Sequence, residues 1–155
     1  MTEAAPALRL RPARAGDEAA IRDCAALAYA RYTPLIGRAP APVSADFAAQ
    51  IAAGQVHVAE DGRGAVLGYV TCFPEAGAML LESVAVLPEA AGRGIGRALI
   101  ALCEARARAA GLGRVRLYTN AKMTANLALY PRLGYVETGR GRADGFDRVW
   151  FEKVL

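Results

Sequence analysis

The 155-residue sequence predicts a single α/β domain, with a twisted, mixed but mostly antiparallel sheet of six to seven strands and about four flanking helices. Three observations predict it. Short apolar or alternating runs recur along the chain, each bounded by Gly, Pro, Asp or Asn. Two of them, residues 78–87 and 115–119, flank a helix-period run at 95–110, a spacing that lets the helix cross over and set the two strands in parallel. No linker or internal repeat divides the chain.

Residues 1–6 read as a frayed leader before a domain spanning 7–155, and residues 8–12 as a first strand. Asp17 is placed to cap a helix running to about Tyr32, with Ile21, Cys24, Ala25, Ala28 and Tyr32 on one face and Pro34 as its stop. Ser44 is placed to cap a second helix, with Phe47 and Ile51 turned inward and Gly54 ending it. Residues 56–59 and 65–73 read as strands joined by the turn Asp61-Gly62-Arg63-Gly64, and residues 74–77 as the next turn. The near-continuous apolar run 78–87 is expected to be a central strand covered on both faces. A shorter helix is expected at 124–133. Two last strands, 134–138 and 146–154, follow, joined by a turn containing Gly141, Asp144 and Gly145.

Composition narrows the function classes. No apolar run reaches the length of a membrane span, and Met1 to Arg14 lacks a signal-peptide core, so a cytoplasmic protein without membrane contact is expected. Cys24, Cys72 and Cys103 are odd in number and widely spaced, which indicates buried thiols and neither a disulfide framework nor a metal site. The single histidine, His57, leaves no multi-histidine metal centre. Net charge is +4 and 17 of the 19 basic residues are arginine, but they are scattered and form no nucleic-acid-binding block.

One segment concentrates chemistry: Val84-Ala85-Val86-Leu87-Pro88, then Gly92-Arg93-Gly94-Ile95-Gly96-Arg97. Pro88 stops the strand, and the three alternate glycines permit a tight turn and close approach of backbone to a ligand. The helix begins there, so its first N–H groups and the positive end of its dipole face the turn, a setting for a pyrophosphate. Arg93 and Arg97 add side-chain charge. No Walker loop is present, and the dinucleotide fingerprint fails because its third position falls on Arg97 or Leu99.

This segment resembles the acyl-CoA-binding motif of the GNAT N-acetyltransferase superfamily, Gln/Arg-x-x-Gly-x-Gly/Ala after a strand, here at residues 91–96 with Ala91 in the first position. Arg11-Pro12-Ala13 with Asp17 and Ile21 resembles the family's opening. Asn126 to Tyr135 resembles its Leu-Tyr-x-x-Leu-Gly-Phe/Tyr ending, and Arg148 to Lys153 its last strand. The resemblance implies a sheet whose central parallel pair splays apart and acetyl-CoA as co-substrate. It also implies direct transfer to a primary amine, on a small molecule or a peptide, and a dimer as a common assembly. It implies that the backbone of Val84, Ala85 and Val86 pairs with the pantetheine arm and that residues 92–97 hold the pyrophosphate. Tyr130 would protonate the leaving sulfur as general acid, and Asn126 would touch the cofactor.

Besides Ala91 in the motif's Gln/Arg position, the chain departs from the family in three places. Met123 occupies the position where many members carry the helix asparagine, with Asn126 one turn later. Pro131 removes a helical N–H and is expected to bend the helix at Tyr130. Tyr118 stands where some branches place a glutamate base. An amine of pKa about 10.4 is neutral at pH 7 only about once in 2,500, a handicap of about 4.6 kcal/mol that a base or a desolvating site must offset.

Glu82, the only charge in 78–87, is the replacement candidate. Strand alternation puts it on the face of Val84 and Val86, and an N–H near Val84 is expected to hold the oxyanion. Its other reading is an exposed residue that orders a loop. Tyr130 also fits an apolar helical stripe as a core aromatic. Tyr29 and Tyr32, at the end of the first helix, are candidates for an amine pocket through cation–π contact, or for packing. Two readings stand beside the enzyme: a catalytically degenerate acyl-CoA-binding protein, and a basic nucleic-acid-binding module, for which no recognition motif appears.

Overall fold

In the middle strands successive residues face opposite ways, and both faces are apolar, so helices must pack on each side of one sheet. The computed structural model describes residues 8–155; the leader expected at 1–6 lies outside them. Seven strands form the sheet: β1 (Arg9–Pro12), β2 (Val56–Glu60), β3 (Val66–Glu75), β4 (Ala78–Val86), β5 (Arg114–Asn120), β6 (Val136–Ala143) and β7 (Phe146–Val154). Their order is β1-β2-β3-β4-β5-β7-β6, and among the described residues β4–β5 is the one parallel pairing. The helices are α1 (Glu18–Tyr29), α2 (Thr33–Ile36), α3 (Phe47–Ala52), α4 (Ile95–Ala109) and α5 (Thr124–Arg132). The fold class read from the sequence is therefore the one observed.

On one face, Leu99 and Cys103 of α4 and Tyr130 of α5 pack with Val70, Leu81 and Leu117. On the other, Ile21 and Cys24 of α1 and Phe47 of α3 pack with Val58 and Tyr69. All three cysteines are buried free thiols. Gly68 allows the close approach at the centre: a side chain there would meet the Ala85 carbonyl oxygen at 2.7 Å and Leu99 Cδ1 at 3.3 Å. No helix among the described residues is long and apolar enough to cross a membrane.

Several local expectations are corrected. Asp17 does not cap α1 with its side chain; its carboxylate takes a two-pronged hydrogen bond from Arg11, at 2.8 and 3.0 Å, and the Arg14 amide at 2.7 Å. Pro34 does not end the first helix. A 3-10 turn at Ala30–Tyr32 leads into α2, where Pro34 needs no amide partner, and Gly37 (φ 91) ends it. Asp46, not Ser44, caps α3 by accepting the Ala49 amide at 3.1 Å. Pro74 belongs to β3; the turn is Ala76–Gly77, with φ 50 and 82, the pair of left-handed residues a two-residue hairpin requires. Gly141 likewise lies within β6, and the last hairpin turns at Asp144–Gly145.

Candidate active site

The site starts with a misfit between β4 and its two neighbours. Against β5, β4 is in register only from Met79↔Val115 to Leu81↔Leu117; beyond that point the strands diverge. Against β3, Thr71 pairs with Ser83 but Cys72 with Leu81, so Glu82 is an extra residue in β4. Such a bulge bends a strand and increases its twist, which accounts for β4 leaving β5 just past it. The divergence opens a cleft with Leu81, Glu82, Ser83 and Val84 on one wall and Tyr118, Thr119 and Asn120 on the other. Its empty space, including the part open to solvent, is about 530 Å³. Tyr130 and Asn126 of α5 line it, as do Tyr29 and the loop Pro40-Ala41-Pro42.

The bulge corrects the placement of Glu82. Strand alternation is interrupted there, so sharing a face with Val84 and Val86 does not follow. Val84 and Val86 pack toward the α4 cluster, while Glu82 Oε2 accepts from Gln50 Nε2 of α3 at 2.6 Å. Partial burial pushes the Glu82 carboxyl above the usual carboxylate range; the Gln50 hydrogen bond opposes this and the charge of Glu75 adds to it.

Tyr130 is 4% exposed, its ring edge-on to Tyr135 at 5.6 Å and tilted against Phe151 at 5.8 Å. Burial drives its phenol well above the usual tyrosine value, so it is protonated at neutral pH and able to donate. Pro131 does not displace it. The proline falls in the last turn of α5, Tyr130 remains helical, and its carbonyl accepts both the Leu133 and Tyr135 amides at 3.0 Å. Asn126 Nδ2 donates to Thr119 Oγ1 at 3.1 Å, tying α5 to β5 at the cleft.

The two tyrosines proposed for the acceptor part company. Tyr29 lines the cleft, but its hydroxyl is committed to the Val84 carbonyl at 2.9 Å, and burial pushes its pKa up to about 12. Tyr32 lies elsewhere, beside Leu35, Lys122 and Thr124, with its hydroxyl accepting from Arg31 at 2.6 Å.

At the end of β4, Pro88–Ala90 makes a 3-10 turn, and Gly92 (φ 82) and Gly94 (φ 77) take left-handed backbone that favours glycine. The first α4 hydrogen bond runs from the Ala98 amide to the Gly94 carbonyl at 3.1 Å. The Ile95, Gly96 and Arg97 amides thus have no helical acceptor. The Ile95 side chain is core, so only its backbone is offered. Space around Gly92 and Gly94 is open, and a Cβ on Gly96 would touch only Val86 Cγ2, at 3.7 Å. Arg93 and Arg97 are exposed at this rim. These features suit a diphosphate; they offer amides and positive charge without a crowding side chain.

Sequence reasoning missed Gln50, Ser83 and Arg148. Ser83 is buried and sits within hydrogen-bond reach of Tyr69 (2.7 Å) and Tyr29 (3.5 Å), linking α1 to the cleft wall. Arg148 of β7 stacks over Tyr118 at 4.1 Å and faces the same cleft. None of the three has a local signal for its place at the cleft: Gln50 meets Glu82 across 32 residues, Ser83 meets Tyr69 across 14, and Arg148 reaches Tyr118 across the β5–β7 pair.

Residues 21–135 match the family described as Acetyltransferase (GNAT). The chain belongs to that family. No curated protein sequence matches it. Among solved structures it is similar to the PaiA N-acetyltransferase of Thermoplasma acidophilum, in complex with coenzyme A (16% identity, TM-score 0.79, 96% of this chain and 99% of that one). It is similar to the ribosomal-protein-alanine N-acetyltransferase of Brucella melitensis (25%, 0.71, 95% and 99%). It is also similar to YncA of Salmonella typhimurium with its cofactor acetyl-CoA (23%, 0.70, 96% and 94%).

Proposed function

We propose that this protein transfers the acetyl group of acetyl-CoA directly to a primary amine, on a small molecule or a peptide. The observation that supports this reading is the divergence of β4 from β5 past Leu81. It brings Tyr130, Glu82 and the β4 backbone to one cleft, with the glycine turn at the end of the same strand. In this reading the Ile95, Gly96 and Arg97 amides hold the pyrophosphate of acetyl-CoA, and Asn126 and the backbone of Val84 to Val86 guide its pantetheine arm.

Acetyl-CoA brings an acetyl group activated as a thioester. Glu82, held by Gln50 and lifted in pKa by burial, takes the proton that the amine gives up as its nitrogen bonds to the acetyl carbon. Tyr130 gives its phenolic proton to the sulfur as the C–S bond breaks and recovers it from solvent. Burial serves the two groups differently: it keeps the phenol protonated and makes the carboxylate a stronger base.

A thiol-release assay over amines, amino acids, dipeptides and polyamines, run with calorimetry of acetyl-CoA binding, tests the reading. Saturable binding with turnover of an amine is expected. Binding with no turnover across the panel would favour an acyl-CoA-binding protein, and absence of binding would sink both.

A further inference from the structure

Arg148 is a guanidinium nearly closed off from solvent, with its side chain 10% exposed. Among the described residues it makes one hydrogen bond, from Nη1 to Asp144 Oδ2 at 3.0 Å, and Asp144 itself is 79% exposed. A guanidinium carries five N–H donors in a planar fork, so most of that fork is unused. Its position is built. It stacks on Tyr118 at 4.1 Å, its β7 position pairs with Asn120 of β5, and Phe146, two residues earlier, lies 5.8 Å away. Arg38, from the loop that forms the opposite lip, stacks on Phe146 at 3.7 Å and donates to the Asp144 carbonyl at 2.6 Å. The arginine–aromatic column fixes the mouth of the cleft and holds Arg148 against it.

The side chain is held by stacking while its unused N–H donors stay open to the cleft, where they can meet an anion entering from solution. The other charged side chain lining the cleft is Glu82, of opposite sign, on the β4 wall across from the β5 wall where Arg148 stacks on Tyr118. A cleft with a carboxylate on one wall and a guanidinium fork on the other matches a ligand that carries both an amine and a planar anion. We infer that the acceptor is an aminocarboxylate, a free amino acid or a close relative, whose carboxylate is taken by the Arg148 fork while its amine meets Glu82. The inference rests on the acetyltransferase reading and names the substrate class of that site.

The test is acetylation of free amino acids, each beside its carboxamide and its decarboxylated amine, by wild type, Arg148→Lys and Arg148→Gln. The wild type is expected to favour at least one amino acid over both of its neutral-tailed partners. Arg148→Gln is expected to reduce that preference ratio roughly 30- to 100-fold, chiefly through KM, the scale of a lost charge-assisted bidentate contact. Arg148→Lys, which keeps the charge and loses the fork, falls between. A melting curve for each variant separates this from loss of fold.

Equal use of amino acids and decarboxylated amines by the wild type would overturn the inference while leaving acetyl transfer standing. So would an unchanged ratio in folded Arg148→Gln. If no amine is acetylated, the acetyltransferase reading fails by itself. The carboxylate site is then read by calorimetry of the same amino acids on coenzyme A-saturated protein. Binding lost in Arg148→Gln supports it, and no amino acid binding overturns it.

Discussion

Gln50 Nε2 donates to Glu82 Oε2 at 2.6 Å, joining α3 to the bulge of β4 across 32 residues of sequence. The carboxylate is thereby aimed, and its pKa is a balance between burial, which raises it, and this hydrogen bond, which lowers it. If Glu82 is the base, turnover falls as pH drops through its pKa, at a higher pH than an ordinary carboxylate would give. Gln50→Ala removes the opposing hydrogen bond and is expected to move that acid limb to still higher pH. Glu82→Gln should abolish the limb and lower kcat about 100-fold. Full activity of Glu82→Gln at neutral pH would assign the base to water or another group.

Tyr130→Phe keeps the ring and its contacts with Tyr135 and Phe151. Only the hydroxyl is lost. The melting temperature and acetyl-CoA affinity are expected to hold, while kcat falls about 100-fold, within the span of general-acid effects. A parallel drop in affinity and rate would recast Tyr130 as a binding residue.

Gly96→Glu tests the glycine turn. The new Cβ meets only Val86 Cγ2 at 3.7 Å, so the chain is expected to fold. The carboxylate would project where the α4 amides are proposed to meet the pyrophosphate, and acetyl-CoA affinity should fall on the order of 100-fold. Unchanged affinity by calorimetry, with a normal melt, would move the cofactor elsewhere.

Away from the site, Arg11 joins β1 to both Asp17 and Glu60, at 2.8 and 2.9 Å, with each side chain at most 14% exposed. The Arg11 hydrogen bonds hold Asp17 below its free value of 3.8, against the effect of burial. The stabilisation is therefore present above that unfolded value and lost as pH falls through the lower folded one. Asp17→Asn is expected to cost about 2 kcal/mol at pH 7, the scale of a hydrogen bond to a charged group. Its melting temperature should approach wild type as pH falls through the folded pKa of Asp17. A gap that stays constant down through that range would show that the ion pair is not what stabilises the segment.

Elements were legible where the pattern is local. The helix period of α4, the glycines before it and the apolar run of β4 mark their own positions, because periodicity and turn chemistry act over a few residues. Caps and turn ends were less so. Asp17 and Asp46 both have the composition of a cap, yet the first carboxylate is engaged by Arg11 and by the Arg14 amide outside α1, and only the second accepts an amide of the helix that follows it. Pro34 and Pro131 read as breaks, yet Pro34 falls in a first turn, where its amide has no helical acceptor, and Pro131 falls one residue before the end of α5, where it forfeits one hydrogen bond without cutting the helix short of Arg132.

The sequence by itself determined the layered α/β domain and the place of the glycine turn, while Tyr130 became a candidate only through the family resemblance of residues 126–135. Each depends on side-chain period or on residue types within one short segment. Tertiary structure decided where β4 parts from β5, that Glu82 is a bulge residue held by Gln50, that Tyr32 stands apart from Tyr29, and that Arg148 faces the cleft. Those depend on strand register and on partners dozens of residues away. One inserted residue in a ladder reverses every later side chain, and no local pattern records it.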